Sequence, residues 1–249
     1  MASTSETGNA KNVANFQDLV AFVTAYGVTY NPSKSALKLP QLAVLYTAAQ
    51  ATLADVITKN TAFNSKVNER VIAFSNLKPL ATRLMSALQT TDASAQKIVD
   101  AKTFNKKIQG VRATPLPSAG AAGGVPDPNT PAPTTISTSQ LSYDQQIQHF
   151  AGIIAVLESE TSYTPNETEL KIITLTAKQA DLTAKNNAVA TAYAIISNSR
   201  IARDTTLYGT DTGLFDIASE IKKYVKSVFG ASSPQFAQVK GIQFKKVNK

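Results

Sequence analysis

The chain contains no cysteine, no tryptophan and one histidine, His149, in 249 residues. Without cysteine there is no disulfide, no iron–sulfur cluster, no thiolate zinc site and no thiol nucleophile. A single histidine excludes every multi-histidine metal centre within one chain. Charge is also scarce: 17% of residues are ionisable, against about 25% in an average globular protein, while the apolar fraction of 43% is ordinary. Alanine, threonine, serine and asparagine make up the difference. The start, residues 1–12, is polar and lacks the apolar core of a signal peptide. The longest apolar-leaning stretch free of charge, Leu39 to Ala54, is shorter than the ~20 residues a membrane helix needs. The expectation is a protein kept in the cytoplasm with no membrane span.

What is present is organised around a break in composition. Six of the eleven prolines and Gly120, Gly123 and Gly124 fall between Thr114 and Ile136. Proline removes backbone donors and glycine raises the entropy of ordering, so this segment reads as a linker of roughly 25–30 Å root-mean-square span. The flanking parts resemble each other. The run from Tyr30 to Leu39, YNPSKSALKL, aligns with Tyr163 to Ile172, YTPNETELKI, at an offset of 133 that continues to Arg70 and Arg203. Extra residues near Gly209–Thr212 shift the offset to 137, where Leu77–Leu84 meets Leu214–Ile221. Such agreement in order and punctuation marks a tandem duplication. The expected layout is a polar arm over 1–12, a helical repeat over 13–113, the linker over 114–136 and a second repeat over 137–249.

Both repeats read as helical. Leu39, Leu42, Tyr46, Ala49, Leu53, Val56, Asn60, Phe63, Val67, Arg70 and Phe74 step alternately by three and four, a heptad seam no strand can have. Pro40 marks the start of that helix or kinks it. Asn31-Pro32 and Thr164-Pro165 suggest caps, with Thr164 and Glu167 forming a capping box. The predicted shorter helices are Phe16–Tyr26, Leu77–Gln89, Ala95–Gln109, Tyr143–Glu158, Gly213–Phe229 and Pro234–Phe244. The expected fold is all-α: two similar bundles, each built on one long helix with two or three shorter ones.

The runs SNSRIARDTTLY (197–208) and YVKSVFGASSPQ (224–235), with Asn68–Ala87, resemble a widespread family of bacterial proteins of uncharacterised activity. That resemblance covers most of the chain outside the linker. It implies the two-copy layout and no chemistry.

Candidate reactive groups are few. His149 has no counterpart in the first repeat, and the bland reading is a surface or satisfied helical histidine. Glu158/Glu160 and Glu167/Glu169 are spaced by two, so neither pair converges on one atom; capping and helix dipoles account for them. No catalytic, cofactor or metal residues are assigned, and no cofactor is expected. Arg70 and Arg203 occupy matching seam positions, where a guanidinium needs a partner such as Glu69 or Asp216, and they are read as inter-repeat contacts. Asn60 reads as a register-fixing polar residue. The net charge of +8 is uneven, with +7 in residues 1–113 and +2 in 137–249. Lys222, Lys223 and Lys226, with Lys106 and Lys107, are candidate anion or nucleic-acid contacts. Lysines near helix C-termini are also expected from the macrodipole alone. The leading expectation is a non-enzymatic structural or scaffolding protein that self-associates through pseudo-symmetric surfaces into an oligomer or filament. The alternative is a basic nucleic-acid-associated protein, and a third is a helical membrane-active protein.

Overall fold

The computed structural model describes residues 8–110 and 141–246. The predicted linker and the first seven residues of the arm lie outside the described residues. Helices are α1 (Asn9–Ala25), α2 (Leu39–Phe74), α3 (Leu77–Gln89), α4 (Ala95–Gln109), α5 (Tyr143–Glu158), α6 (Ile172–Tyr208), α7 (Leu214–Phe229) and α8 (Pro234–Lys240), and the described residues contain no strand. The all-α expectation therefore stands.

Local chemistry sets most of the ends. Ser94, Ser142 and Ser233 each accept a hydrogen bond from the backbone N–H three residues on, capping α4, α5 and α8. Gly110 ends α4 in the left-handed conformation, φ 75°, that a residue without Cβ adopts at no steric cost. Pro40 lies in the first turn of α2, where no intrahelical donor is missed, so it starts the helix and does not kink it.

Besides α8, which ends at Lys240 and not at Phe244, two boundaries differ from expectation. The capping box at Thr164 and Glu167 does not form. Residues 168–170, like 35–37, make a single 3-10 turn, and the long helices begin only at Leu39 and Ile172. A buried tyrosine closes each of these turns: Tyr30 Oη donates to Leu37 O at 2.8 Å and Tyr163 Oη to Leu170 O at 2.9 Å. The second difference is at the start. Helix α1 begins at Asn9, inside the expected arm, because Asn12 is buried and hydrogen-bonded across 233 residues of sequence.

The described chain forms two compact units, and neither coincides with one half of the sequence. Among the described residues, one unit comprises 8–65 and 191–246; the other comprises 66–110 and 141–190. In the first, Val13, Phe16, Leu19 and Val23 of α1, with Leu42 and Ala49 of α2, share a core with Leu207 of α6, Leu214, Ile217, Ile221 and Val225 of α7 and Val239 of α8. In the second, Phe150, Ile153 and Leu157 of α5, with Leu175 and Leu182 of α6, share a core with Leu77, Leu80, Leu84 and Leu88 of α3 and Ala101 and Ile108 of α4. Each unit thus takes its first helix and the start of a long helix from one half, and the closing helices from the other. The expectation that each bundle is built on its own long helix is corrected: α2 and α6 each divide between the two units. An amphipathic stripe specifies that a face be buried, not which segment buries it.

The closing elements of the two units differ. In the second unit α4 is 15 residues long, and the Phe104 ring lies on α5 where a Cβ at Gly152 would stand 2.5 Å from it. In the first unit α8 has seven residues, and a segment without regular secondary structure, residues 241–246, follows it.

With full burial of one leucine-sized side chain stabilising by about 1.5–3 kcal/mol, either half alone leaves several such groups in water. We expect isolated fragments 1–113 and 137–249 each to lack cooperative unfolding. Mixed together, they should regain helical circular dichroism and a sharp melting transition. Independent two-state folding of either fragment as a monomer would contradict this partition.

Candidate functional site

The seam arginines fall in different units and meet different partners. Arg70, on α2, donates from Nη1 to Asn186 Oδ1 at 3.0 Å, and its guanidinium carbon stacks 4.0 Å from the centroid of Tyr143. Asn186 in turn donates to Asp144 Oδ1 at 2.8 Å, and Tyr143 packs edge-on against Phe74. The expected partner Glu69 is engaged elsewhere, by Lys185 at 3.0 Å and Lys66 at 2.7 Å, which hold its carboxyl below the usual range. Lys178 donates to Ala73 O beside them. This cluster joins first-half α2 to second-half α5 and α6 within the second unit. It is a joint whose charges are answered internally, although Arg70 Nε is buried without an acceptor.

Arg203, on α6, does not contact Asp216. Its Nε and Nη2 donate to Asp204 Oδ1 at 2.9 and 2.7 Å, and the Asn9 amide, oriented to donate to Tyr208 Oη, accepts from Arg203 Nε at 3.2 Å. Asn60 accepts from Arg200 Nη2 at 3.5 Å, a long and exposed contact. A better-formed bond on the same helix pair is Ser199 Oγ to Asp55 Oδ2 at 2.6 Å.

The lysine clusters separate into engaged and free members. Lys106 and Lys107 are exposed in the last turn of α4, where the helix dipole favours them. Lys223 is exposed, and Lys226 lies 5.9 Å from the Phe236 ring centroid. Lys222 differs. It is only partly exposed, donates to the Ile242 carbonyl, lies over the Phe244 ring, and burial pushes its ammonium below the ordinary lysine value.

Lys222 is one of several groups that hold residues 241–246 by their backbone. Asn12 pairs with Lys245 in both directions, Nδ2 donating to Lys245 O at 2.7 Å and Oδ1 accepting from Lys245 N at 3.1 Å. Asn15 Nδ2 donates to Gln243 O at 2.6 Å. Sequence reasoning missed this device, because backbone recognition by an amide leaves no motif.

His149 is neither on the surface nor satisfied. It is 4% exposed, its Nε2 has no partner, and the Phe104 ring lies 6.4 Å away. Burial, and secondarily the charge of Lys107, depress its pKa below 6.5. Glu160 has the opposite status: hydrogen bonds from the Ser162 hydroxyl and N–H, with Lys97 at 3.1 Å, hold its carboxyl down at about 2. A polar recess of about 320 Å³ lies near it, lined by Thr90, Thr91, Asp92, Ser162, Thr164 and Glu167. Its inner wall is Ala87; 137 residues on, the matching position in α7 is Tyr224, which packs 5.3 Å from Tyr30.

No group of three or more potential metal ligands occurs among the described residues. No helix among them is long and apolar enough to cross a membrane. In comparisons with known proteins, the chain matches no family model, no curated protein and no solved structure.

The buried imidazole makes the second unit acid-sensitive. Because its folded pKa is depressed, the unfolded chain takes up the proton first, so stability is full above pH 6.5 and drains as the pH falls below it. We expect urea-unfolding stability to fall between pH 7 and 5, and to fall less in His149→Leu. Identical pH slopes in the two proteins would refute the assignment.

Proposed function

We propose that this protein is a non-enzymatic building block that self-associates through the outward faces of α2 and α6 into an oligomer or filament. The observation that carries the reading is the chemistry of those faces. On α2, Val44, Thr47, Ala51, Ala54, Thr58, Thr61, Ala62, Ser65 and Ile72 are exposed and uncharged; the half-exposed Glu69, on the same stripe between Ser65 and Ile72, is paired with Lys66 and Lys185, and the exposed Asp55 borders it. On α6, Ile173, Thr176, Ala180, Thr183, Ala184, Asn187, Thr191, Ala194, Ile201 and Thr205 repeat the pattern. A helix face meant for water normally carries charge.

Apart from that of Thr191, the hydroxyls of the residues named are already satisfied. Thr47, Thr58, Thr61 and Ser65 donate to Ala43 O, Ala54 O, Ile57 O and Thr61 O. Thr176, Thr183 and Thr205 donate to Ile172 O, Gln179 O and Ile201 O. A threonine bonded back to its own helix turns its methyl group outward. Drying such a face strands few donors, whereas drying free hydroxyls would cost about 1–3 kcal/mol each. Exposed branched residues, Ile57 at 68% and Ile173 at 79%, add apolar area. Both long helices display one surface character, so a second copy of this chain is a chemically matched partner.

The same reading takes the two halves as copies of one ancestral unit. It is supported by matched burial: Phe16 with Phe150, Leu42 with Leu175, Leu77 with Leu214, Ala81 with Ala218 and Leu84 with Ile221 are all 0–1% exposed. It is also in keeping with the resemblance to bacterial proteins of two-copy layout. Nucleic-acid binding is the weaker alternative, since Lys222 already serves the Ile242 carbonyl and Lys226 lies beside Phe236.

We expect sedimentation velocity and negative-stain imaging to detect concentration-dependent assembly without nucleic acid. Ala51→Glu and Ala184→Glu each place a charge on an exposed helical site at a propensity cost of a few tenths of a kcal/mol. They should abolish assembly while leaving the melting transition nearly unchanged. A strictly monomeric native protein at high concentration would overturn the proposal.

A further inference from the structure

Beside α7, in the first unit, burial, charge and asymmetry coincide. A recess of about 250 Å³ is lined by Phe215, Ser219, Lys222, Lys240, Ile242 and Phe244. Lys246 reaches over the Phe215 ring, 5.1 Å from its centroid, as Lys222 does over Phe244 at 5.2 Å. Two lysines therefore line one small space, and the ammonium of a third lies over one of its ring walls. No carboxylate among the described residues is paired with any of them, although the chain pairs lysines with acids at Lys34, Lys59, Lys66, Lys97 and Lys185. Lys222 has three N–H donors, and the Ile242 carbonyl accepts from it.

One carbonyl bond leaves two of the Lys222 N–H donors available, and the corresponding place in the other unit carries no cation. The position 137 residues earlier, on α3, is Met85, which is 5% exposed in the core of the other unit. An apolar side chain serves at that place on one helix, and a partly buried lysine stands at it on the other. Desolvating an ammonium without a counter-charge is costly, and a bound anion offsets that cost. A concave space of this volume matches a compact anion.

We propose that this recess binds a phosphoryl dianion, free or carried on a small ester, with Lys222 and Lys240 as direct ligands and the Ser219 hydroxyl at its rim. Lys246 adds charge from above Phe215. Because the bound anion sits against Ile242 and Phe244, it also fastens the 241–246 segment to α7. This site is independent of the assembly faces on α2 and α6.

The test is calorimetric titration of the full chain with inorganic phosphate and with glycerol 3-phosphate, ionic strength being held constant with chloride. Saturable one-to-one binding is expected, weakened at least tenfold in Lys222→Met, severalfold in Lys240→Met, and unchanged in Lys223→Met, an exposed neighbour that does not line the recess. Tighter binding of the ester assigns a carried phosphoryl group, and equal or tighter binding of phosphate assigns the free ion. No saturable binding of either probe overturns the proposal, as does equal weakening by Lys222→Met and Lys223→Met, which would mean diffuse surface charge. Should circular dichroism find Lys222→Met unfolded, Lys240→Met and Lys246→Met decide: undiminished affinity in both overturns it.

Discussion

Burial of two phenylalanines is the constraint on which the rest depends. Phe16 on α1 and Phe150 on α5 are fully buried, each in a core closed by helices from the opposite half of the sequence. Neither first helix carries enough apolar surface to be stable alone, since isolated helices of this length are marginal in water. Their docking therefore brings the closing segments α7–α8 and α3–α4 to their places. The Tyr30 and Tyr163 turns, and the positions where α2 and α6 become helical, follow from the same docking.

Such an exchange needs protection against the wrong pairing, because a first half could dock on another first half. The ion pairs supply it. In the first unit, Lys34 from the turn before α2 meets Glu220 on α7 at 2.6 Å. In the second, Glu169 from the turn before α6 meets Arg83 on α3. Arg83 and Glu220 are matching positions at the offset of 137, so the charges are reversed between units. Pairing like halves would set Lys34 near Arg83, or Glu169 near Glu220. Exposed pairs stabilise by at most about 1 kcal/mol each, yet like charges forced together penalise the wrong partner.

Much of this was legible in the sequence and some was not, for identifiable reasons. The bounds of α3, α4 and α5 follow from periodicity, serine caps and glycine, all local signals. The start of α1 did not, because a polar run from Asn9 to Asn12 becomes helical through the tertiary pairing of Asn12 with Lys245. His149 sits four residues before Ile153 and next to Phe150, on the apolar stripe of α5. Its burial was readable there and was outweighed by the residue's polarity. Arg70 was read as a seam residue in need of an acid such as Glu69, whereas its hydrogen-bond partner is the neutral amide of Asn186 on α6. Which half supplies each helix is invisible locally, since both halves present the same stripe.

The outward faces of the long helices and the cores they cover answer to different demands. The core positions need only size and apolarity, whereas the threonine-rich faces keep most of their hydroxyls bonded to the helix itself, a feature the fold does not require. The exchange of elements between halves is the claim to test first. The most direct measurement is a nuclear Overhauser spectrum of the intact chain with labelled aromatic residues. Cross-peaks are predicted between Tyr30 and Tyr224, between Tyr26 and Phe229, and between Phe74 and Tyr143, whose ring centroids stand 5.3, 5.1 and 4.7 Å apart. Absence of these peaks, with Tyr26 and Tyr30 contacting α3 of their own half instead, would contradict the account.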